Sequence, residues 1–244
     1  MTSEEKQSPF RGPTFTLSAG FLAVVALLPV GILIRDSGTQ QAEPRGSATS
    51  RPQQPSAGNS NGSTPTCRPT DARRLVPRKA PAGVAWQIYK TVALPYSRTA
   101  GPLVLEGEIA RCYAPTPAGA LIAAAQISTR SAFSDEWRAV TERQVVPGPG
   151  RDAFIKEFGR TRPGNSIKPG SLGQIAGFKF ISYSQHAAEI ELVMRFFTGR
   201  MSANALTVKW SGSDWQLEFS SNGSTDAQGR TIPSLDGYIL WGGV

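Results

Sequence analysis

The sequence predicts an α+β fold in which a globular domain follows a single membrane-spanning helix and a flexible linker. Three observations support this: an uncharged apolar run, a polar stretch without aromatic residues, and a helical region followed by strands with alternating apolar residues. They divide the chain into a tail (1–12), a transmembrane helix (13–34), a linker (35–66) and an α+β domain (67–244).

The apolar run from Pro13 to Ile34 contains no charged residue. At about 1.5 Å per residue, a helix of this length crosses a hydrocarbon core of about 30 Å. The alternative is a secretory signal peptide, which usually has about 7–15 apolar residues and a small-residue cleavage site. This run is longer, and only a weak site follows at Ser37-Gly38. We therefore expect an uncleaved anchor, a cytoplasmic amino end and an extracytoplasmic domain in a single-pass protein of the cell membrane.

The stretch after the apolar run has the composition of a tether. Gln, Ser, Gly, Pro, Asn and Thr dominate it, and such a segment buries too little apolar surface to offset the entropy of ordering. The remaining chain is long enough for one domain with its own core.

Basic residues are concentrated at the start of the domain. The chain has a formal net charge of +8, and much of the excess lies in residues 68–90, where six cations accompany Asp71: Arg68, Arg73, Arg74, Arg78, Lys79 and Lys90. Such a segment could contact anionic lipid or nucleic acid, or form ordinary solvated surface. No aromatic residues of the kind used in base stacking alternate with these cations. The three interpretations remain open.

The chain has two cysteines, Cys67 and Cys112. An even number in an extracytoplasmic domain permits a disulfide, which would fix the start of the domain to its core. Their spacing is unlike that of a metal site, and no histidine lies near either. Cys67 and Cys112 are therefore candidates for a disulfide, and we expect no metal site.

The order of elements indicates a curved antiparallel sheet wrapped over about three helices. Residues 84–92 are predicted to form a strand or a short helix. Residues 103–113 are predicted to form one strand with a bulge at Gly107. Thr116 is a good N-cap and Pro117 suits the first position of an Ala-rich helix. Two further helices and four strands follow, at residues 134–145, 151–158, 177–183, 188–197, 206–210 and 215–219.

The inventory of chemically active residues is poor. His186, the only histidine, lies in a turn, so the usual triads and histidine metal sites lack their base or ligands. No phosphate-binding loop or dinucleotide fingerprint is present. We predict a protein that is not an enzyme, with no cofactor and no catalytic or metal-binding residues.

Several segments carry a resemblance to a known family. They are Trp86–Pro102, Tyr113–Ala125, Pro147–Phe154, Val208–Leu217 and Trp241–Val244. Together they resemble single-pass membrane proteins encoded on integrative and conjugative elements of actinobacteria. The element order also resembles the nuclear-transport-factor-like fold of assembly subunits in type IV secretion and conjugation machines.

The resemblance implies a non-enzymatic, membrane-anchored scaffold of a conjugative DNA-transfer channel. Its partners would be the membrane, other transfer-channel subunits and possibly further copies of the chain, while contact with nucleic acid stays open. The alternative is an extracytoplasmic binding module that holds a small apolar ligand in a cone-shaped pocket. Four aromatic residues are candidates to line that pocket: Phe178, Phe180, Phe196 and Trp210.

Overall fold

The computed structural model describes residues 67–161, 172–224 and 229–243, all within one compact unit that spans Gly58–Val244. These residues form three helices, α1 (Pro117–Phe133), α2 (Trp137–Gln144) and α3 (Pro149–Thr161). They also form ten strands: β1 (Val84–Tyr89), β2 (Val92–Ser97), β3 (Val104–Glu106), β4 (Ile109–Arg111), β5 (Gln174–Tyr183), β6 (Ala187–Arg195), β7 (Met201–Trp210), β8 (Trp215–Glu218), β9 (Arg230–Ile232) and β10 (Ile239–Leu240).

The main sheet is antiparallel, open and six-stranded. Its order is β10-β5-β6-β7-β8, and β9 pairs with the first residues of β7. The register of β5 against β6 shifts twice, between Ile175 and Gly177 and between Phe180 and Ser182. Such irregularities bend a strand and increase its twist.

Two separate hairpins precede the helices. β1 pairs with β2 and β3 pairs with β4, each antiparallel. Lys90 (φ 56°) and Gly107 (φ 57°) turn the chain in the left-handed region. The prediction of one bulged strand over 103–113 is therefore wrong, because Gly107 reverses the chain instead of bulging it.

Helix α1 is the centre of the core. The predicted N-cap is confirmed, since the Thr116 side chain accepts a hydrogen bond from the Gly119 amide at 3.2 Å. The helix is buried almost all round, and it packs against β6, β7 and β8 of the main sheet and against β2, β4 and α2. Its alanines are small enough to let these elements approach closely.

Arg130 of α1 ties both hairpins to the helix. Only 4% of the residue is exposed, and its guanidinium donates to Gln126 Oε1 at 2.9 Å, to the Glu108 carbonyl at 3.1 Å and to the Tyr96 hydroxyl at 2.9 Å. It also lies 4.3 Å from the centre of the Tyr89 ring. Because a buried charge is costly unless its hydrogen bonds are satisfied, this network fixes the position of the hairpins.

The N-terminal segment (residues 67–82) is attached to the core by a disulfide between Cys67 and Cys112. Cys112 has φ 73°, which is unusual for a residue other than glycine. The Asp214 carboxylate supports this conformation by accepting hydrogen bonds from the amides of Cys112 (2.6 Å) and Tyr113 (3.0 Å). It also accepts one from the Trp215 amide at 3.0 Å.

The predictions of a single-pass membrane protein and of a membrane location are wrong for the part of the chain that is described. None of the helices within residues 67–161, 172–224 and 229–243 is long and apolar enough to cross a membrane. Helix α1 has only 17 residues and contains Arg130, while α2 and α3 carry several charges. The predicted tail (1–12), transmembrane helix (13–34) and linker (35–66) all lie outside the described residues.

The predicted fold class also needs correction in its sheet. The sequence suggested a single curved sheet over the helices, as in the nuclear-transport-factor-like fold. The described chain is mostly strand, and it divides its strands between an open six-stranded sheet and two small hairpins. The difference arises because the two sharp turns at Lys90 and Gly107 pair the early strands with each other.

Asp214 provides a test of this packing through pH. Burial raises the pKa of its carboxyl, although the three backbone hydrogen bonds oppose that shift. Because the folded-state pKa lies above the unfolded value of about 3.9, the folded state binds the proton more tightly. The contribution of Asp214 to stability is therefore fully present below that value and is lost as the pH rises through the folded-state pKa.

The variant Asp214→Asn does not titrate at this position. We expect the free energy of unfolding of the variant, minus that of the wild type, to increase from about pH 3 upwards and then to level off. Denaturant unfolding at a series of pH values measures this difference, and a constant offset from altered hydrogen bonds does not affect its slope. A difference that decreases with rising pH would show that the hydrogen bonds outweigh burial.

Candidate functional site

A cavity of about 810 Å³, here called the large cavity, opens on the domain. It lies where β1, the first residues of β5, the end of β6 and the last described residues of the chain meet. Its walls are mainly apolar and include Trp86, Ile175, Phe196, Leu235 and Trp241. This volume falls within the range of about 300–1,000 Å³ that is typical of small-molecule sites.

Aromatic packing fixes one wall of the large cavity. The Trp241 ring lies edge-on to Trp86 with centroids 5.0 Å apart, and edge-on to Phe178 at 5.4 Å. The Trp241 amide donates to the Ala176 carbonyl at 3.2 Å. At Gly243 a Cβ would come within 2.7 Å of the Trp86 side chain, so only glycine allows the chain to pass this closely.

The opposite side of the cavity is also held in place. The Gln174 side chain accepts a hydrogen bond from the Ala93 amide at 2.9 Å and donates to the Thr91 carbonyl. These bonds connect β5 to the β1–β2 hairpin. The wall is therefore formed before any ligand is present.

Trp241 has an unsatisfied hydrogen-bond donor. Only 4% of the residue is exposed, and its buried Nε1 has no hydrogen-bond partner among the described residues. Trp215 is a useful contrast, since its buried Nε1 donates to the Ala114 carbonyl at 2.8 Å. A buried donor without an acceptor costs about 1–3 kcal/mol. Because this nitrogen has almost no accessible surface, a molecule in the cavity would contact the Trp241 ring and not its N–H.

A second cavity of about 480 Å³ adjoins the large one. It lies beside the last turns of α1 and the neighbouring parts of β6 and β7, with Phe133, Leu192 and Leu206 in its walls. Leu172 and Phe196 line both cavities and form the partition between them.

The four predicted pocket residues do not meet in one place. Phe196 lines the large and second cavities. Phe178 is fully buried in the core, Phe180 packs beside it at 6.0 Å, and Trp210 lies 5.4 Å from Trp215. Trp210 ends β7 at the β7–β8 turn, whereas the cavities lie at the opposite end of that strand.

The sequence did not predict that Trp86 contacts Trp241 and that these two residues form one wall of the large cavity. The two residues lie near opposite ends of the domain, so no local spacing links them. The Gly242-Gly243 pair after Trp241 is the one signal that a close backbone approach occurs there.

The part of the chain that is described contains no group of three or more His, Cys, Asp or Glu residues able to hold a metal ion. His186 lies in the exposed turn between β5 and β6, away from both cavities. The two cysteines are joined, with an S–S distance of 2.03 Å.

The comparisons with known proteins identify a family without an assigned function. A family model described as "Domain of unknown function (DUF8175)" matches residues 47–240, and the chain belongs to this family. No curated protein and no solved structure matches the chain.

The unpartnered indole of Trp241 leads to a stability prediction with a matched control. Trp241→Phe and Trp215→Phe remove the same atoms from two buried sites, but only the second breaks a hydrogen bond. The Ala114 carbonyl then keeps only the hydrogen bond from the Thr116 amide, at 2.8 Å. We expect Trp241→Phe to cost about 1–2 kcal/mol less than Trp215→Phe. Urea unfolding of the two variants and the wild type measures the difference. Equal losses would mean that the Trp241 donor is satisfied.

Proposed function

We propose that the domain is a non-catalytic binding domain, which holds a small molecule with a large apolar part in the large cavity. The observation that carries this proposal is the cavity of about 810 Å³, whose largely apolar wall is held in place by the Trp86–Trp241 contact and by the hydrogen bonds of Gln174. Ligand sites commonly combine such walls with a few polar groups that orient the ligand. Arg195 is the charged group at this wall.

The composition of the wall favours binding over catalysis. None of the described residues that line the large cavity carries a carboxylate, an imidazole, a thiol or a hydroxyl group. These are the groups that usually serve as nucleophiles or general bases. Arg195 and Gln174 are the polar side chains of this wall, and Gln174 is engaged in holding the hairpin.

The role in a conjugative DNA-transfer channel stays a prediction. Its support is the sequence resemblance together with large apolar side chains on the surface, namely Leu75, Ile88, Phe197 and Leu240. Phe197 and Leu240 also lie at the large cavity, so a protein partner there would compete with a ligand. Sedimentation of the full-length protein with and without a bound ligand would detect such competition as a change in self-association.

The neutral apolar dye N-phenyl-1-naphthylamine tests the binding proposal directly. We expect its fluorescence to rise on binding to the full-length protein. Ala80→Trp should weaken dye binding by about tenfold or more, because Ala80 lines the large cavity and a larger side chain would occupy it.

The control is Ala85→Trp, which introduces the same side chain at an exposed position of β1 that lines neither cavity. This variant should bind the dye like the wild type. Absence of dye binding by the wild type, or equal effects of the two substitutions, would contradict the proposed function.

A further inference from the structure

The charged side chains among the described lining residues of three cavities are all cationic. A third cavity of about 330 Å³ lies under the N-terminal segment, with Arg73, Arg78 and Lys79 in its walls. Arg195 lines the large cavity. None of the described residues that line the large, second or third cavity is an Asp or a Glu.

Among the residues that the structure describes, three of these four cations have no acidic partner. Arg73 forms an ion pair with Asp71 at 3.0 Å. Arg78, Lys79 and Arg195 form no ion pair with another described residue. Their positive potential therefore remains available to a bound group, and nearby walls of low polarity strengthen its effect.

The three cavities lie side by side, with cations toward one end. Ala80 and Pro81 line both the third cavity and the large cavity. Leu172 and Phe196 line both the large cavity and the second cavity. The second cavity has no charged side chain among its described lining residues. The number of cationic side chains among the described lining residues thus decreases from three in the third cavity, to one in the large cavity, to none in the second cavity.

Phe196 is placed to control passage between the large and second cavities. Its ring is partly buried, and the Arg200 guanidinium lies 4.2 Å from the ring centre. A rotation of this side chain would join the two spaces without moving the main sheet. An elongated apolar group could then extend from one into the other.

We propose that the ligand is an anionic amphiphile with a carboxylate-type head and an unbranched apolar chain. Arg195, supported by Arg78 and Lys79, attracts the head, and the chain extends past Phe196 into the second cavity. The part of the chain nearest the head packs against the Trp86 and Trp241 rings. This inference rests on the proposed function, since it assigns the chemical class of the molecule that occupies the large cavity.

Three probes of equal chain length separate charge from apolar burial. Decanoate, 1-decanol and decyltrimethylammonium are allowed to displace N-phenyl-1-naphthylamine from the full-length protein, each below its aggregation threshold. We expect decanoate to displace the dye at about tenfold lower concentration than decanol, because a charge-assisted hydrogen bond is added. Decyltrimethylammonium should be the weakest competitor.

Substitutions of the cations then test which of them bind the head group of the ligand. Arg195→Gln should reduce the preference for decanoate over decanol, with both competitors measured relative to the variant's own affinity for the dye, and Arg78→Gln with Lys79→Gln should act in the same direction. The control is Arg160→Gln, a change at an exposed residue of α3 that pairs with Glu157. This control should retain the full preference.

The outcomes distinguish the two proposals. If the dye binds but the three competitors act equally, the anionic ligand class is overturned and the binding function stands. If decanoate keeps its preference in both the Arg195 variant and the double variant, the assignment of the head group is overturned. If the dye does not bind to the wild type at all, the proposed function itself fails.

Discussion

The burial of α1 on several sides is the constraint on which the rest of the structure depends. The helix is covered by the main sheet and by β2, β4 and α2, so these elements share one core. Its alanines allow close approach, and Arg130 fixes the hairpins through hydrogen bonds that compensate for its burial. The last turns of α1 also form part of the wall of the second cavity, through Thr129 and Phe133.

The cavities arise because the helix and the sheet differ in length. Helix α1 ends at Phe133, while β5, β6 and β7 are nine or ten residues long. Leu192 and Leu206 contribute both to the core and to the wall of the second cavity, which marks the place where helix cover ends. Beyond it, Trp86 and Trp241 support each other over the large cavity.

Local features of the fold could be predicted from the sequence. Thr116 and Pro117 mark the start of α1, and alternation identifies the long strands, because both signals depend on neighbouring residues. The alternation of apolar and polar residues indicates which face of a strand is buried. It does not indicate which end of the strand lies beside a cavity. This is why Trp210 was grouped with Phe196, although the two lie at opposite ends of the β6–β7 pair.

Features that depend on distant contacts could not be predicted. The contact of Trp86 with Trp241 and the three hydrogen bonds to Asp214 join segments far apart in the chain. The membrane location was inferred from composition at residues 13–34, which lie outside the described part, and the described helices give it no support. The candidate site therefore emerges from the tertiary structure and not from any motif.

The most direct test is the NMR signal of the Trp241 indole N–H during titration with decanoate. The chain has five tryptophans, and Trp241→Phe identifies the signal of interest. The account predicts a saturable shift of the Trp241 indole proton, because the apolar chain of decanoate packs against the Trp241 ring in the cavity wall. The Trp215 indole proton, which already donates to Ala114, should stay in place. A Trp241 signal that does not move, or equal shifts of both protons, would contradict the account.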